Sequence, residues 1–349
     1  MKALEVENLK ASIGNFKVRD VSFFVQENEV LVILGDNGAG KTKILEMIAG
    51  FIPLESGKIK IFGRDVTSLA VQKRRIGFIF QDLGLFPHMT VEKNIEYGLK
   101  YSKMSKPLLN DIIEIFQLKH LLHRFPPTLS GGEKQKVALA RTLVTDPLIV
   151  FLDEPTSALS AREKLRIDKE IKEILKKIRK PAIFVTHSES EASVVGDRIA
   201  VVENGRIAQI GKSEEIFYRP ASKNIADLFG PSNILEGVVE ENKDEILTVK
   251  VKEKEIVGVG NFQKGESVYI FVRPEDVILT KEKFESSARN VFNGKIQNIV
   301  KKGPIFEIMI NVGFDILSLV TKGSLERLEL KVGDEINVEF KATAVHILK

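Results

Sequence analysis

The residues with the most evident chemistry are eight that follow the apolar run Val30–Leu34 and precede an amphipathic stretch. Glycines in a loop between a strand and a helix let successive backbone N–H groups point at phosphate oxygens, and the helix N-terminus adds positive potential. Lys41 is predicted to bridge the outer phosphates of a nucleotide, and the Thr42 hydroxyl to bind Mg²⁺. This predicted phosphate-binding loop consists of Gly35, Asp36, Asn37, Gly38, Ala39, Gly40, Lys41 and Thr42.

Two acidic residues, Asp153 and Glu154, end a second apolar run, Ile149–Leu152. A strand end in a parallel sheet would place both carboxylates beside the phosphates. We expect Asp153 to hold Mg²⁺ through water, and Glu154 to orient or deprotonate the attacking water. An Asp-Glu pair alone is weak evidence, but it becomes strong after a phosphate-binding loop.

Two further apolar runs end in a polar side chain that could reach the same place. His187 follows Ala182–Thr186, where it could donate a hydrogen bond to the γ-phosphate and help to align the water with Glu154. Gln81 follows Ile76–Phe80, where its amide could reach Mg²⁺ or the attacking water. Neither residue alone indicates a nucleotide site. A single histidine at a strand end is more often structural, and a single glutamine there means little.

The elements that must position these residues alternate along the first two-thirds of the chain. Short β-branched runs predict buried strands, and the amphipathic stretches between them predict helices. This alternation predicts an α/β fold with a mostly parallel sheet covered on both faces, whose ligands gather at the carboxyl ends of its strands. The predicted strands are 30–34, 76–80, 149–152 and 182–186, and the predicted helices include 41–49, 133–143 and 162–178.

The pattern changes near Gly230–Pro231 to short strands and turns, and it contains a degenerate repeat. Asn233–Gly237 resembles Asn290–Gly294, and residues 271–278 resemble 340–347. We therefore predict an all-β C-terminal domain of two small OB-like barrels. The expected domains are 1–229 and 230–349, and the second has expected repeats 230–284 and 285–349.

Composition excludes several classes of protein. The 52 basic and 48 acidic residues nearly balance, which does not indicate a nucleic-acid partner. The absence of cysteine excludes disulfides and thiol catalysis. No apolar run reaches the roughly 18 residues of a membrane-spanning helix, and the N-terminus lacks the apolar core of a secretory signal. We expect any membrane role to be that of a peripheral subunit.

Leu129-Ser-Gly-Gly-Glu133 adds a second anion-binding signature, because Ser130 and the backbone amides of Gly131 and Gly132 open a predicted helix. Together with the phosphate-binding loop, Gln81, Asp153–Glu154, Ser157–Leu159 and His187, it resembles the ABC transporter ATPase family over residues 1 to about 229. The resemblance implies a P-loop NTPase fold with a helical subdomain, with ATP and Mg²⁺ as cofactors. It also implies a homodimer in which Ser130, Gly131 and Gly132 cap the γ-phosphate bound by the other copy.

The same resemblance implies further partners and a location. The partners are an integral-membrane permease dimer, contacted near residues 82–97, and indirectly a solute-binding protein. The expected location is the cytoplasmic face of the cell membrane. Phe86, Pro87 and His88 are candidates for the permease contact, with local packing as the equally weighted alternative.

Three positions depart from the family pattern. Lys43 stands where many relatives carry Thr or Ser, and Ser160 replaces the usual Asp. Ile13 stands near the place where an aromatic residue stacks on adenine, and Phe16 is the nearest substitute. None of these changes removes a residue that hydrolysis needs.

The tail resembles the molybdate-binding Mop-type domain that also ends the ATPases of molybdate/tungstate importers. By this resemblance Ser287 and Arg289 of one subunit, and Thr321, Ser324 and Lys341 of its partner, would bind the oxyanion. Hydroxyl and cationic donors suit a tetrahedral dianion, provided that no carboxylate lies nearby. Such binding would hold the ATPase domains apart and inhibit import. The alternative is that these residues form barrel turns common to many transport ATPase tails.

Other functions remain open at this point. The same machine could import another solute, such as sulfate, a sugar or a polyamine. An ABC-type ATPase acting on nucleic acid usually carries two nucleotide domains or a basic insertion, and neither is present. An oxyanion sensor or storage protein would explain the tail but not the complete hydrolytic site.

Overall fold

The computed structural model describes residues 1–100, 106–229, 232–282 and 286–349. It divides into two compact units, Met1–Ser213 and Glu214–Lys349. This division lies upstream of the boundary expected at residue 229, because buried Arg273 of the second unit donates hydrogen bonds to the carbonyl oxygens of Phe217 and Phe229. The expected boundary positions 230, 284 and 285 lie outside the described residues.

The first unit contains the predicted alternation of strands and helices. Its strands and helices, in chain order, are β1 (Lys2–Ile13), β2 (Phe16–Gln26), β3 (Val30–Leu34), α1 (Lys41–Ala49), β4 (Ser56–Ile61), β5 (Arg64–Asp65), β6 (Ile76–Ile79), α2 (Val91–Leu99), α3 (Lys106–Ile115), α4 (Gly131–Leu143), β7 (Ile149–Asp153), α5 (Ala161–Lys177), β8 (Ala182–Thr186), α6 (Glu189–Val195), β9 (Arg198–Glu203) and β10 (Arg206–Gly211). The predicted strands and helices are thus present within a few residues of their expected bounds. The helices α2 to α4 form the helical insertion between β6 and β7.

Two sheets build this unit. An antiparallel sheet has the order β2-β1-β4-β5, and a second sheet has the order β10-β9-β3-β8-β7-β6. In the second sheet every pair from β6 to β9 is parallel, and only β10 is antiparallel. The prediction of a mostly parallel sheet is therefore confirmed.

The parallel sheet is buried because its central strands carry almost only apolar side chains. Every residue of β3, β7 and β8 is buried. One hydrophobic core joins these strands to α1 and to the antiparallel sheet, through residues such as Ile33, Ile44 and Leu4. Continuous apolar runs of this kind are typical of strands covered on both faces.

The second unit begins with two short helices and continues as strands. Its elements are α7 (Ser213–Tyr218), α8 (Lys223–Asp227), β11 (Asn233–Lys243), β12 (Ile246–Val251), β13 (Lys254–Val259), β14 (Ser267–Val272), β15 (Ile278–Thr280), β16 (Asn290–Lys302), β17 (Ile305–Asn311), β18 (Asp315–Thr321), α9 (Lys322–Arg327), β19 (Glu335–Phe340) and β20 (Val345–Leu348). The strands form a closed barrel, β11-β12-β13-β20-β14, and a five-stranded sheet, β15-β19-β16-β17-β18. The all-β region is thus confirmed, with one closed barrel and one open sheet.

The two expected repeats exchange a strand, which corrects their bounds at 230–284 and 285–349. The short β15, from the first repeat, pairs with β19 in the open sheet, and the C-terminal β20 closes the barrel of the first repeat. Register also corrects the repeat alignment by one residue, because Asn233 lies opposite Val272 and Asn290 lies opposite Phe340. Val272 therefore corresponds to Phe340, and Arg273 corresponds to Lys341.

Two repeated asparagines join the barrel to the open sheet in the same way. The Asn233 amide exchanges hydrogen bonds of 2.7 and 2.9 Å with the N–H and C=O of Leu317. The Asn290 amide makes the same pair of bonds, 2.7 and 2.9 Å long, with Val257. Both asparagines are buried. Each amide thus bonds backbone groups that the pairing of the strands leaves without a partner.

The described helices include none long and apolar enough to cross a membrane.

The paired asparagines yield a stability prediction. Asn290→Ala leaves the N–H and C=O of Val257 without these bonds, so we expect the free energy of unfolding of the second unit to fall by about 2 kcal/mol. Asn233→Ala should have a similar effect through Leu317. Urea denaturation of the full chain measures the loss of stability in both variants, with hydrogen exchange in the second unit as the readout.

Asn242→Ala is the matched control. Asn242 is exposed, and its side chain donates one bond to the carbonyl oxygen of Phe262. Its loss should cost less than about 1 kcal/mol. Equal losses in all three variants would contradict a special role for the two buried asparagines.

Candidate active site

A cavity of about 560 Å³ lies at the carboxyl edge of the parallel sheet, and half of the residues predicted for the nucleotide site line it. Its volume falls in the range typical of small-molecule sites. The lining residues are Ile13, Phe16, Asn37, Gly38, Gly40, Lys41, Thr42, Lys43, Gln81 and Glu154. Gln81 follows a different strand from the one that precedes the phosphate-binding loop, yet it lines the same cavity as the loop.

The loop needs glycine at two positions. Gly40, directly before α1, has a φ of +102°, and a Cβ there would lie 2.4 Å from the Phe16 ring. A Cβ on Gly35 would lie 2.3 Å from the carbonyl oxygen of Val202. Between them, the N–H of Ala39 donates to the carbonyl oxygen of Asp36 and closes a turn. Phe16 therefore packs directly on the loop, at the cavity wall where the sequence predicts a stacking aromatic residue.

The Lys41 side chain lies along the loop that precedes it. Its Nζ donates hydrogen bonds to the carbonyl oxygens of Gly35, at 2.8 Å, and Asp36, at 3.0 Å. It also lies 3.9 Å from Glu154 Oε1. Burial lowers the Lys41 pKa, and the charges of Glu154, Asp153 and Asp36 oppose that shift. The loop thus holds a buried cation beside an acidic group at the phosphate-binding position.

Thr42 lines the cavity and contacts Asp153, since Thr42 Oγ1 donates a 3.0 Å hydrogen bond to Asp153 Oδ1. Burial raises the Asp153 pKa, the Thr42 hydrogen bond opposes this shift, and negative Glu154 adds to it. A bound cation would favour the ionised carboxylate. A hydroxyl, a carboxylate and the Gln81 amide are oxygen ligands of the kind that Mg²⁺ prefers. The residues therefore fit the predicted metal.

Glu154 and His187 lie side by side at the ends of neighbouring parallel strands. His187 Nδ1 is 3.3 Å from Glu154 Oε1. The N–H of Glu154 donates to the carbonyl oxygen of Val185, which fixes the end of β7 against β8. Glu154 has a φ of +44°, a conformation that is unusual for a non-glycine residue and that is found often at functional sites. A carboxylate and an imidazole in contact can hold a water molecule and a phosphate oxygen in line.

The signature residues Ser130, Gly131 and Gly132 do not line this cavity. Ser130 caps α4, and its backbone N–H and hydroxyl both donate to the Glu133 carboxylate. A Cβ on Gly131 would lie 2.2 Å from Leu159, and one on Gly132 would lie 2.8 Å from Ile167. The glycines thus allow close packing of the start of α4 against the segment that follows Glu154.

Two of the three departures have a structural explanation. Ser160 caps α5 and donates a 2.5 Å hydrogen bond to Glu163, so the hydroxyl at this position has a capping role. Lys43 Nζ lies 2.8 Å from Glu46 one turn further along α1, on the cavity wall. Ile13 also lines the cavity, across the β1–β2 turn from Phe16.

Sequence reasoning did not find three buried or half-buried residues that hold the cavity in place. Asn94 is completely buried and bonds the backbone of Phe86, Met89 and Thr90, so it fixes the segment that follows Gln81. Arg141 donates to the carbonyl oxygens of Leu83 and Gly84, at 2.7 and 2.6 Å. The amide of buried Gln135 donates to the carbonyl oxygen of Pro155.

The helix α4 therefore contacts both the Gln81 segment and the residue after Glu154. Arg141 and Gln135 both lie on α4, which begins at the signature. Nothing in the local sequence distinguishes these polar residues from exposed ones on an amphipathic helix.

The predicted oxyanion residues of the second unit are mainly exposed. Thr321 Oγ1 and Ser324 Oγ lie 3.1 Å apart at the start of α9. No hydrogen bond or ion pair in the described part of the chain joins this pair to Ser287, Arg289 or Lys341. The buried Glu339 carboxylate accepts hydrogen bonds from Ser286 and Thr280. A carboxylate therefore lies beside the residue that precedes Ser287, contrary to the expected carboxylate-free surroundings.

Comparisons with known proteins agree with this geometry. Residues 18–157 match the ABC transporter family, and residues 286–347 match the TOBE domain. The molybdate/tungstate import ATP-binding protein of Pyrococcus abyssi is 40% identical over 99% of both chains. The spermidine/putrescine import ATP-binding protein of Protochlamydia amoebophila is 36% identical over 87% of this chain and 84% of its own.

A solved structure shows the same cassette. It is a dimeric ATP-binding cassette in a post-hydrolysis state bound to ADP and Pi, and it covers 60% of this chain and 98% of its own. Its TM-score is 0.52 and its sequence identity is 26%. The resemblance inferred from the motifs is confirmed over nearly the whole chain by the full-length relative. This chain is an ATPase, and it belongs to the family of ABC transporter ATP-binding proteins that carry a C-terminal TOBE domain.

Proposed function

We propose that this protein is the ATP-hydrolysing subunit of an ABC importer for molybdate or tungstate. The observation that supports the hydrolytic part most strongly is one connected group of contacts at the cavity. Lys41 and Glu154 line the cavity, Asp153 bonds the lining residue Thr42, and His187 contacts Glu154. The full-length similarity to a molybdate/tungstate import ATP-binding protein supports the choice of solute. The similarity to a spermidine/putrescine relative keeps a polyamine importer as the second candidate.

In the proposed mechanism the loop binds the phosphates of ATP, with its backbone N–H groups and Lys41 as donors. Thr42, Asp153 and Gln81 would hold Mg²⁺, which would neutralise phosphate charge. Glu154 accepts a proton as water attacks the γ-phosphorus, and the bond to the β-phosphate oxygen breaks with its electron pair leaving on ADP. His187 holds a γ-phosphate oxygen and keeps Glu154 aligned, consistent with their 3.3 Å contact. Phe16 contacts the adenine side of the nucleotide.

We infer that two chains share each ATP. Ser130, Gly131 and Gly132 lie outside the cavity of their own chain, which agrees with a role at the cavity of a second copy. The dimer would couple to an integral-membrane permease dimer at the cytoplasmic face of the membrane. The proposed contact lies within residues 82–97, at Phe86, Pro87 and His88, and Asn94 and Arg141 bond the backbone of this segment. A solute-binding protein would deliver the cargo to the permease.

The C-terminal unit is proposed to bind the transported oxyanion as a regulatory ligand. Thr321 and Ser324 offer adjacent hydroxyls, and the exposed Lys341 and Arg289 offer cations. The repeat provides a contrast, because Arg273, the counterpart of Lys341, is buried and already bonded to carbonyl oxygens of its own unit. Of these two corresponding residues, only Lys341 would therefore be able to bind an external anion. Binding across two copies would oppose closure of the ATPase domains, and the two ligands would lower each other's affinity.

The assignment of Glu154 predicts a specific kinetic defect. Glu154→Gln removes the proton acceptor but keeps the size of the side chain, so we expect kcat for ATP to fall about 100-fold or more. ATP binding should persist, because Lys41 and the loop amides are unchanged. Steady-state hydrolysis and equilibrium binding of ATP measure the two effects.

Glu27→Gln is the matched control, because Glu27 is exposed and does not line the cavity. It should hydrolyse ATP at the wild-type rate. A Glu154→Gln enzyme within a few-fold of wild type would exclude Glu154 as the general base.

The regulatory proposal predicts that tungstate binds the full-length protein and lowers ATP hydrolysis in the assembled transporter. Lys341→Ala should weaken tungstate binding about tenfold or more, because it removes a charged donor to a dianion. Lys322→Ala is the control, since Lys322 is exposed and already lies 3.4 Å from Glu326. Calorimetry with molybdate, tungstate and sulfate measures binding. Equal hydrolysis at saturating tungstate would exclude inhibition, and binding of a polyamine alone would favour the second candidate.

A further inference from the structure

A carboxyl group without a counter-ion in contact lies buried behind the ATP cavity. Asp168, on α5, is completely buried, and neither of its carboxyl oxygens has a hydrogen-bond partner among the described residues. The Thr156 hydroxyl faces it, is also completely buried, and has no partner of normal geometry in the same part of the chain. A buried ionised carboxylate without partners is strongly disfavoured, whereas a protonated carboxyl can donate a hydrogen bond to a nearby oxygen.

The charges around Asp168 favour the protonated form. Burial is the main cause that raises the Asp168 pKa to about 7, and the negative charge of Glu191 on α6 raises it further. The Thr156 hydroxyl and the Lys164 ammonium act in the opposite direction. Lys164 lies 3.5 Å from Glu191 Oε1, so this cation already pairs with the other acid.

Other cations nearby are also engaged elsewhere. Lys136 of α4 pairs with Glu170 at 2.5 Å, and Lys172 of α5 lies 3.7 Å from Asp197. A proton is therefore the simplest neutralising partner for Asp168.

Glu191 connects this buried group to His187. Thr186 Oγ1 donates a 2.5 Å hydrogen bond to Glu191 Oε2, and the Ser188 N–H donates to Thr186 Oγ1 at 2.9 Å. The Glu191 N–H in turn donates to Ser188 Oγ. The residues on both sides of His187 are thus anchored to Glu191, so a displacement of Glu191 would move His187.

Thr156 connects the same group to Glu154. It lies two residues after Glu154, in a turn closed by the Ser157 N–H, which donates to the carbonyl oxygen of Glu154. Asp168 therefore interacts with the turn that follows Glu154, through Thr156, and with the anchor of His187, through Glu191. The side chains of Glu154 and His187 lie 3.3 Å apart.

We propose that Asp168 is a positioning residue for ATP hydrolysis, whose protonated carboxyl donates a hydrogen bond to the Thr156 hydroxyl, adds no second negative charge near Glu191, and so keeps Glu154 and His187 in contact. This inference rests on the proposed roles of Glu154 and His187. Ionisation of Asp168 places a second negative charge beside Glu191 in a buried space. The repulsion displaces Glu191 and with it His187, so hydrolysis slows as pH rises through the Asp168 pKa.

Asp168→Asn tests the proposal, because the amide keeps the shape of the acid and its capacity to donate a hydrogen bond but cannot ionise. We expect kcat of the wild type to fall relative to Asp168→Asn by up to about tenfold per pH unit above neutrality, as one proton controls the active form. Below neutrality the two rates should agree. The KM for ATP should be equal throughout, since Asp168 does not line the cavity.

Glu173→Gln, an exposed change on the same helix, is the control and should follow the wild-type pH profile. Comparing the variants at each pH cancels the pH effects that they share. Parallel profiles for wild type and Asp168→Asn would overturn the positioning role.

The free energy of unfolding provides a second measurement that does not need activity. A carboxyl whose pKa is raised on folding contributes stability at low pH that is lost as pH rises from 3.8, its ordinary value, to about 7. The wild type should therefore lose stability relative to Asp168→Asn over this window. A stability difference between the wild type and Asp168→Asn that does not change with pH would show that Asp168 is not protonated in the folded protein. If no variant hydrolyses ATP at any pH, the proposed function fails and the positioning role with it.

Discussion

The structure depends on one constraint, which is the parallel pairing of strands whose buried apolar runs end at the same edge. Leu34 lies opposite Thr186, and Asp153 lies opposite Val185, so β3, β7 and β8 end within one residue of each other. The residues that follow these strands must therefore lie close together. Gly35, Glu154 and His187 are adjacent because the register places them so, and the apolar core beneath the sheet fixes that register.

A second set of contacts joins this edge to the rest of the first unit. The helix α4 is capped by Ser130, and its later residues bond both Pro155 and the segment after Gln81. A displacement of α4 would therefore act on Gln81 and on the turn beside Glu154 together. The proposed role of Asp168 concerns the same turn, through Thr156. Positioning of Glu154 thus depends on polar contacts that are buried and few in number.

Much of this could be predicted from the sequence, because the signals were local. The phosphate-binding loop, the strand ends and the α1 bounds follow from apolar runs and glycines within a few residues. Long-range features could not be predicted this way. The exchange of β15 and β20 depends on which sheet edge each strand meets, and Asn94 and Asp168 look like ordinary polar positions on amphipathic helices. The repeat could be recognised in the sequence, but its alignment there was wrong by one residue. The correct alignment follows only from the strand partners of Asn233 and Asn290.

The central claim is that each ATP is bound by the loop of one chain and hydrolysed only with the signature of another. A mixing experiment with Lys41→Ala and Ser130→Arg chains tests it most directly. Each variant alone should be inactive, because every site lacks either its lysine or its signature serine. Mixed dimers should regain hydrolysis at one site, formed by the intact loop of the Ser130→Arg chain and the intact signature of the Lys41→Ala chain. Substantial activity of the Ser130→Arg chain alone, or no recovery on mixing, would contradict the shared site.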